Sequence, residues 1–318
     1  MTVQERSNLR TGGQVLIDQL RIHGVDMVFC VPGESYLAAL DALHDAPEIQ
    51  LIVCRQEGGA AMMADAYGKL TGRPGIVFVT RGPGATNASA GIHISFQDST
   101  PVILFIGQVG RGMSEREAFQ EIDFRRMFGQ MAKWVAEIDD AARLPEMVSR
   151  AFSTAVAGRP GPVVLALPED MLTDRVACAD ARRYRPVQAA PPPEALEELA
   201  DRLAKAKQPL AIVGGGDWDG AAVENFQRFA AAWDLPVGTS FRCQSHFDNT
   251  HDQFVGDVGI GLIPKLAERV KNCDLLLVAG ARLGEMTTSG YTLVDIPVPK
   301  QALVHVYPDP EELGRTYQ

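Results

Sequence analysis

The most constraining feature of the sequence is a repeated alternation of short apolar runs with helix-like stretches. In the first half of the chain the apolar runs fall at 27–31, 49–54, 75–80, 102–107 and 161–167. Runs of this length, apolar throughout, are typical of strands that are buried on both faces of a parallel sheet. The alternation therefore predicts an α/β domain with a doubly wound, mainly parallel sheet.

A proline-rich segment interrupts this alternation. Residues 184–193 contain four prolines, at positions 186, 191, 192 and 193. Proline cannot continue a helix or a central strand, because its ring fixes φ and its nitrogen carries no hydrogen. At 318 residues the chain is also long for one ordinary core. We therefore predict a first domain over 1–183, a linker over 184–193 and a second domain over 194–318.

The second domain repeats the α/β pattern. Its expected elements are a helix over 194–207, a strand over 210–213, a glycine-rich turn, a helix over 220–233, and apolar segments at 236–240, 274–279 and 302–306. Strands that alternate with helices in this way indicate another parallel sheet. The fold class that we predict is α/β, with two doubly wound, mainly parallel-sheet domains, the second of them Rossmann-like.

Charge and composition exclude several classes of function. The net charge of −10 argues against a protein that binds nucleic-acid backbones. The apolar runs are too short to span a membrane, and the polar N-terminus lacks the apolar core of a signal peptide. The five cysteines and six histidines show no spacing typical of metal ligands or of a disulfide framework. We expect a cytoplasmic protein with no metal site on this chain.

One acidic residue stands out at the end of a predicted strand. Glu57 lies in the first turn of a helix that follows the second apolar run, and ligands bind at such strand ends in open α/β sheets. On helical spacing it shares a face with small residues at 60, 61, 64 and 68, which would let another backbone approach closely. Favourable interaction with the helix dipole, worth about 0.3–1 kcal/mol, would also explain an acid here. Spacing alone favours that structural explanation.

A resemblance to a known family changes this balance. Four motifs are similar in order and spacing to the pyrimidine-binding domain of acetolactate synthases, which use thiamine diphosphate. These motifs are Phe29-Cys-Val-Pro-Gly-Glu34, Arg55-Gln-Glu57 with Ala64-Asp-Ala-Tyr67, Thr80-Arg-Gly-Pro-Gly-Ala-Thr-Asn87, and Ala118-Phe-Gln-Glu121. The first domain is thereby expected to bind the pyrimidine half of thiamine diphosphate.

The resemblance implies roles for particular residues. Glu57 would hydrogen-bond a ring nitrogen of the aminopyrimidine and so favour the imino tautomer that activates the cofactor. Gln120 matches a family position that faces the reacting carbon, and is the second candidate catalytic residue. The remaining candidate cofactor-binding residues are Val31, Pro32, Pro83 and Asn87, each of which taken singly also fits ordinary turn chemistry.

The resemblance extends to the central domain, which carries FAD in true acetolactate synthases. The candidate contacts here are Gly214, Gly215, Gly216 and Arg282, and a glycine-rich turn between a strand and a helix is compatible with phosphate binding. Two charged family residues are replaced, however, by Met286 and Tyr307. We therefore predict a vestigial or empty flavin site.

The family continues into a further domain that binds the diphosphate through Mg²⁺ with a Gly-Asp-Gly motif. The nearest string in this chain, Val255-Gly-Asp-Val258, is not that motif. We therefore expect that this C-terminal domain is absent and that the chain is either a fragment or one subunit of a split enzyme. In the family the active site lies between subunits, which implies a homodimer or homotetramer.

Three functions remain open on the sequence. The first is thiamine-diphosphate-dependent decarboxylation and carboligation of 2-oxo acids of the pyruvate type, favoured over simple decarboxylation because no adjacent histidine pair is present. The second is a decarboxylase or lyase of a bulkier 2-oxo acid in the same family. The third is a non-catalytic nucleotide-binding or regulatory protein, suggested by the glycine-rich second domain.

Overall fold

The computed structural model describes residues 9–216 and 218–318. The chain divides into two compact units, Met1–Val187 and Gln188–Gln318. The division falls within the proline-rich segment 184–193. Residues 1–8 of the expected first domain and Asp217 of the expected second domain lie outside the described residues.

Over its described residues, 9–187, the first unit contains eight strands and six α-helices. The strands are β1 (Arg10–Thr11), β2 (Met27–Cys30), β3 (Gln50–Val53), β4 (Gly75–Val79), β5 (Val102–Gln108), β6 (Trp134–Glu137), β7 (Pro162–Pro168) and β8 (Arg175–Val176). The helices are α1 (Gly12–Ile22), α2 (Leu37–His44), α3 (Glu57–Thr71), α4 (Gly82–Asp98), α5 (Phe124–Phe128) and α6 (Leu144–Val156).

Six of these strands form one sheet in the order β3-β2-β4-β5-β7-β6. Every neighbouring pair in it is parallel. β1 and β8 form a separate antiparallel pair. The parallel α/β class predicted for this part of the chain is confirmed, and the sequence missed only the edge strand β6 among the strands of the large sheet.

Helices cover both faces of this sheet. Alternate residues of β4 enter different cores: Ile76 and Phe78 pack with α1, α2 and α6, whereas Val77 and Val79 pack with α3, α4 and α5. Residues 102–108 and 162–168 are buried throughout. Burial on both faces is why these strands are continuous apolar runs in the sequence.

The order in which strands are added to this sheet reverses between β2 and β4. The chain runs outward from β2 to β3, then returns to place β4 on the other side of β2. The loops that follow these two strands are joined by a 2.8 Å hydrogen bond between the hydroxyls of Ser35 and Thr80. A Cβ at Gly33 would lie 2.5 Å from the Thr80 Cβ, so glycine is needed for this approach. Ligands bind at such switch points.

The second unit contains β9 (Pro209–Val213), β10 (Val237–Ser240), β11 (Phe254–Val258), β12 (Leu275–Ala279) and β13 (Ala302–Val306). Its helices are α7 (Pro193–Lys205), α8 (Gly220–Ala232) and α9 (Pro264–Asn272). The strands form a sheet in the order β11-β10-β9-β12-β13, and all its pairs are parallel. The predicted Rossmann-like class is confirmed. The strand order reverses at β9: the chain runs outward through β10 to β11 and then places β12 on the other side of β9.

Two further observations concern the described part of the chain. None of its helices is both long and apolar enough to cross a membrane. All five cysteines are free thiols.

Candidate active site

Glu57 is the first residue of α3, and residues 54–56 separate it from the end of β3. Gln56 precedes it with an extended backbone, and its side chain accepts a 2.8 Å hydrogen bond from the Gly59 amide, which caps the helix. The Glu57 side chain is half-buried. Its Oε2 accepts a 2.9 Å hydrogen bond from Nδ2 of Asn87. The structure therefore brings together two of the residues that the sequence selected.

Small side chains make this pairing possible. Ala60, Ala61 and Ala64 of α3 are fully buried, as the helical spacing predicted. A Cβ at Gly91 of α4 would lie 2.5 Å from the Ala61 Cβ, and a Cβ at Gly58 would lie 3.0 Å from the Asn87 carbonyl. The two helices pack closely because these positions carry almost no side chain.

The second carboxylate oxygen of Glu57 faces the start of α4. A Cβ at Gly84 would lie 3.4 Å from Glu57 Oε1. Pro83 precedes it as the second residue of the helix, where its missing N–H removes no helical hydrogen bond, and it is exposed. The Gly-Pro-Gly segment at residues 82–84 therefore lies beside Glu57 without placing a large side chain against its carboxylate.

Gln120 reaches the same helix from the loop after β5. The Gly82 amide donates a 2.9 Å hydrogen bond to the Gln120 carbonyl. The Gln120 backbone is left-handed, with φ of 66°. Its Oε1 is buried and has no hydrogen-bond partner among residues 9–216 and 218–318. A buried amide oxygen without a partner costs about 1–3 kcal/mol, so it is a group that a ligand would satisfy.

Val31 and Pro32 lie in the loop after β2. The Val31 carbonyl accepts a 2.5 Å hydrogen bond from the Tyr36 hydroxyl, while Pro32 is exposed. Burial raises the pKa of Tyr36, and the nearby Cys30 and Glu57 raise it further. Tyr36 is therefore a protonated donor that fixes this loop. Burial likewise raises the pKa of Cys30, to about 11, so that this cysteine is an un-ionised thiol.

Arg81 is a member of this site that the sequence did not single out. It lies between β4 and α4 with only 8% of its surface exposed. Its Nη2 donates a 2.9 Å hydrogen bond to Glu169 Oε2 and lies 3.7 Å from Glu34 Oε1. Charged residues that directly follow apolar strands were the available signal, because Arg81 comes two residues after β4 and Glu169 directly follows β7.

The glycine-rich turn of the second unit lies at the carboxyl end of β9. A Cβ at Gly214 would lie 1.8 Å from Ser240 Oγ, and a Cβ at Gly215, where φ is +84°, would lie 1.9 Å from the Gly280 carbonyl oxygen. The Trp218 indole donates a 2.8 Å hydrogen bond to the Gly214 carbonyl. Glycines 214 and 215 therefore accommodate close contact with the protein's own neighbouring strands.

An acidic residue caps the helix after this turn, and a nearby arginine is paired with another acid. The N-cap of α8 is Asp219, whose carboxylate accepts a 2.7 Å hydrogen bond from the Ala222 amide. Nε of Arg282 donates a 3.1 Å hydrogen bond to Glu312, whose side chain is only 10% exposed. Met286 is exposed, and the Tyr307 ring lies 6.0 Å from that of His305. A phosphate group at this helix N-terminus would meet the Asp219 carboxylate.

Within the described ranges, no group of three or more histidine, cysteine, aspartate or glutamate side chains could hold a metal ion. The string Val255-Gly-Asp-Val258 lies within β11, where it pairs with β10.

Comparison with known families agrees with this geometry. The family described as "Thiamine pyrophosphate enzyme, N-terminal TPP binding domain" matches residues 10–127, and that described as "Thiamine pyrophosphate enzyme, central domain" matches residues 196–318. The chain therefore belongs to the thiamine pyrophosphate enzymes.

The curated relatives narrow the likeness to acetolactate synthases. The chain is 34% identical over 320 residues to the acetolactate synthase large subunit of Parasynechococcus marenigrum (strain WH8102), covering 96% of this chain and 50% of that protein. It is 31% identical over 310 residues to the acetolactate synthase isozyme 2 large subunit of Escherichia coli (strain K12), covering 96% and 55% respectively. The chain thus spans about half the length of these relatives, and the resemblance drawn from the four motifs is confirmed.

Proposed function

We propose that this chain supplies the pyrimidine-binding and central parts of a thiamine-diphosphate-dependent enzyme that decarboxylates a 2-oxo acid and transfers the remaining acyl unit to a second carbonyl compound. The observation that carries the proposal is the Glu57 carboxylate, which is hydrogen-bonded by Asn87 at the carboxyl edge of a parallel sheet. The relatives named acetolactate synthase support the reaction class.

The residues around Glu57 fit an aminopyrimidine. Asn87 engages Oε2, which leaves Oε1 beside Gly84 to hydrogen-bond a ring nitrogen. Val31 and Pro32, in the loop after β2, and Pro83, in the first turn of α4, would contact the ring. When bound, thiamine diphosphate supplies a carbon nucleophile and an electron sink. Glu57 would hold the proton that it shares with the ring nitrogen. Asn87 would fix the direction of the Glu57 carboxylate through its hydrogen bond.

Gln120 is proposed to act on the substrate side. Its amide offers both a donor and an acceptor, and its Oε1 is unpaired among the described residues. A substrate with carbonyl and carboxylate oxygens would use the donor, and a hydroxyl formed during the reaction would use the acceptor. This is the role that the family resemblance assigns to the position.

The remaining cofactor ligands and the partner are also proposed from the family. We propose that the protein is a homodimer or homotetramer, and that residues outside 1–318 on the partner subunit hold the diphosphate and Mg²⁺. One face of α3 supports a protein contact, because the exposed residues Gly59, Met62, Met63, Ala66 and Leu70 recur at helical spacing. The free thiols suit the reducing cytoplasm.

The test is to titrate the full-length protein with thiamine diphosphate and Mg²⁺ by calorimetry, and then to profile products from pyruvate and from bulkier 2-oxo acids. Binding together with a carboligation product from pyruvate supports the proposal. Turnover of a bulkier 2-oxo acid alone would instead support a decarboxylase or lyase of that acid in the same family. An absence of cofactor binding would overturn it in favour of a non-catalytic protein.

We also propose that the central domain binds no flavin. The support is the close packing around Gly215 and the pairing of Arg282 with Glu312. The purified protein should show no flavin absorbance near 450 nm, before or after incubation with FAD. A stoichiometric flavin signal would contradict this proposal without affecting the first.

A further inference from the structure

Arg81 is a nearly fully buried cation at the point where β4 turns into α4. Resting on the function proposed above, we propose that Arg81 is a positioning residue: it fixes the loop that carries Gln120 against the start of α4. The inference deepens the proposed site, because neither the family motifs nor the spacing of residues assigned a role to this side chain.

The backbone of the Gln120 loop is held by two consecutive donors. Nη1 of Arg81 donates a 3.3 Å hydrogen bond to the Phe119 carbonyl, and the next residue, Gly82, donates its amide to the Gln120 carbonyl at 2.9 Å. A Cβ at Gly82 would lie 2.8 Å from the Gln120 carbonyl oxygen. The two segments therefore run in direct contact.

The loop needs such support because its backbone is strained. Glu115, Glu117 and Gln120 all have positive φ values, of 62°, 53° and 66°. Conformations of this kind in residues other than glycine persist only where the surroundings hold them. Within the loop, the Glu121 carboxylate accepts hydrogen bonds from the Glu115 and Ala118 amides. The bonds from Arg81 and Gly82 join this internally braced loop to α4.

The guanidinium also joins the other segments of the site. Glu34 follows β2, Phe119 lies after β5, and Glu169 follows β7. One side chain therefore connects segments from four neighbouring strands at the carboxyl edge. Two carboxylates offset its charge, while its Nε is buried and has no hydrogen-bond partner among the described residues.

Backbone dynamics test the inference independently of turnover. In the full-length protein, Arg81→Met should increase hydrogen–deuterium exchange of residues 114–123 about tenfold, as expected when a charge-assisted bond is lost. The matched control is Arg10→Met. Arg10 also bonds two carboxylates and a carbonyl, on Asp18, Asp180 and Cys178, but it contacts neither α4 nor this loop. Unchanged exchange over 114–123 in Arg81→Met would overturn the inference.

Kinetics then test whether Arg81 acts through Gln120. We expect Arg81→Met to lower kcat about tenfold, as small misplacements of positioned groups do, with a smaller change in KM. Adding Arg81→Met to Gln120→Ala should lower kcat no further than Gln120→Ala alone, and Arg81→Lys should restore part of the loss. Full additivity would overturn the coupling. A wild-type protein that binds no thiamine diphosphate would contradict the proposed function, and the exchange experiment would still decide the role of Arg81.

Discussion

The carboxyl edges of the two parallel sheets are built in opposite ways. In the first unit, glycines at 82 and 84 bring helix α4 close to Glu57 and Gln120 while leaving polar side-chain atoms, Glu57 Oε1 and Gln120 Oε1, outside the protein's own hydrogen bonds among the described residues. In the second unit, glycines at 214 and 215 let neighbouring strands close on one another, and the nearby Arg282 is paired with an acid.

This contrast shows that a glycine-rich turn after a strand has two different uses. It allows a ligand to approach the backbone, or it allows another part of the chain to do so. The two sheets have the same kind of topology, since each has a switch point where its strand order reverses. What distinguishes the two turns is what the glycines approach: Gly84 faces the Glu57 carboxylate, whereas Gly214 and Gly215 meet atoms of the neighbouring strands and their loops.

The largest expected effect comes from removing the charge that defines the first edge. Glu57→Gln in the full-length protein should lower kcat/KM for the 2-oxo acid by about 10²-fold or more, because an amide cannot share a proton with the ring nitrogen as a carboxylate does. Steady-state kinetics with saturating cofactor measure this. Glu146→Gln is the control, since Glu146 is also a first-turn acid, on α6, but is exposed and pairs with Arg143. Equal activity of the two variants would remove Glu57 from the mechanism.

The next effect tests the close packing around Gly215 at the carboxyl edge of the second sheet. Gly215→Ala should destabilise that unit by about 2–4 kcal/mol, because alanine is strained at φ of +84° and its Cβ would lie 1.9 Å from the Gly280 oxygen. Hydrogen exchange of peptides from residues 188–318 in increasing urea would measure the loss.

The matched control for this change is Gly284→Ala, where a Cβ would meet no atom within 4 Å. If Gly215→Ala were as stable as this control, the turn would have room for a ligand, and the contrast between the two edges would fail.

These residues also show how far the sequence could be read. The apolar runs predicted the central strands because burial on both faces leaves no polar residue in them. β6 and β11 were missed since their residues are mostly half-exposed, so that neither is a continuous apolar run. The close approach at Gly215 could not be predicted, because it depends on Gly280, which comes from a strand much later in the chain.

The candidate site divides in the same way. Spacing placed Glu57 at a strand end above small residues, but only the family motifs favoured a catalytic role over a helix-dipole role. The signal for Arg81 was its position two residues after an apolar strand, which is weak because charged residues are common in loops after strands. Its burial and its bonds to Phe119 and Glu169 appear only when four strands are assembled.

A smaller effect concerns Asn87, which hydrogen-bonds Glu57 at the carboxyl edge of the first sheet. Asn87→Ala should lower kcat about tenfold and leave stability nearly unchanged, because the Asn87 side chain is exposed and its amide orients Glu57 through one hydrogen bond. Kinetics and thermal unfolding of the same samples test both parts. A large stability loss without a change in kcat would make the Glu57–Asn87 bond a structural contact alone.

The smallest effect concerns the paired arginine at the carboxyl edge of the second sheet. Arg282→Met should cost about 1 kcal/mol of stability, since the Glu312 carboxylate loses this partner but keeps Arg315 at 3.3 Å from the same oxygen. Urea unfolding measures the cost, and Glu312→Gln in the Arg282→Met background should recover part of it. If Arg282 instead contacted a bound dinucleotide, the variant would lose flavin absorbance and the second substitution would recover nothing. Because the proposed flavin-free edge predicts recovery, the pair of variants separates a structural ion pair from a cofactor contact.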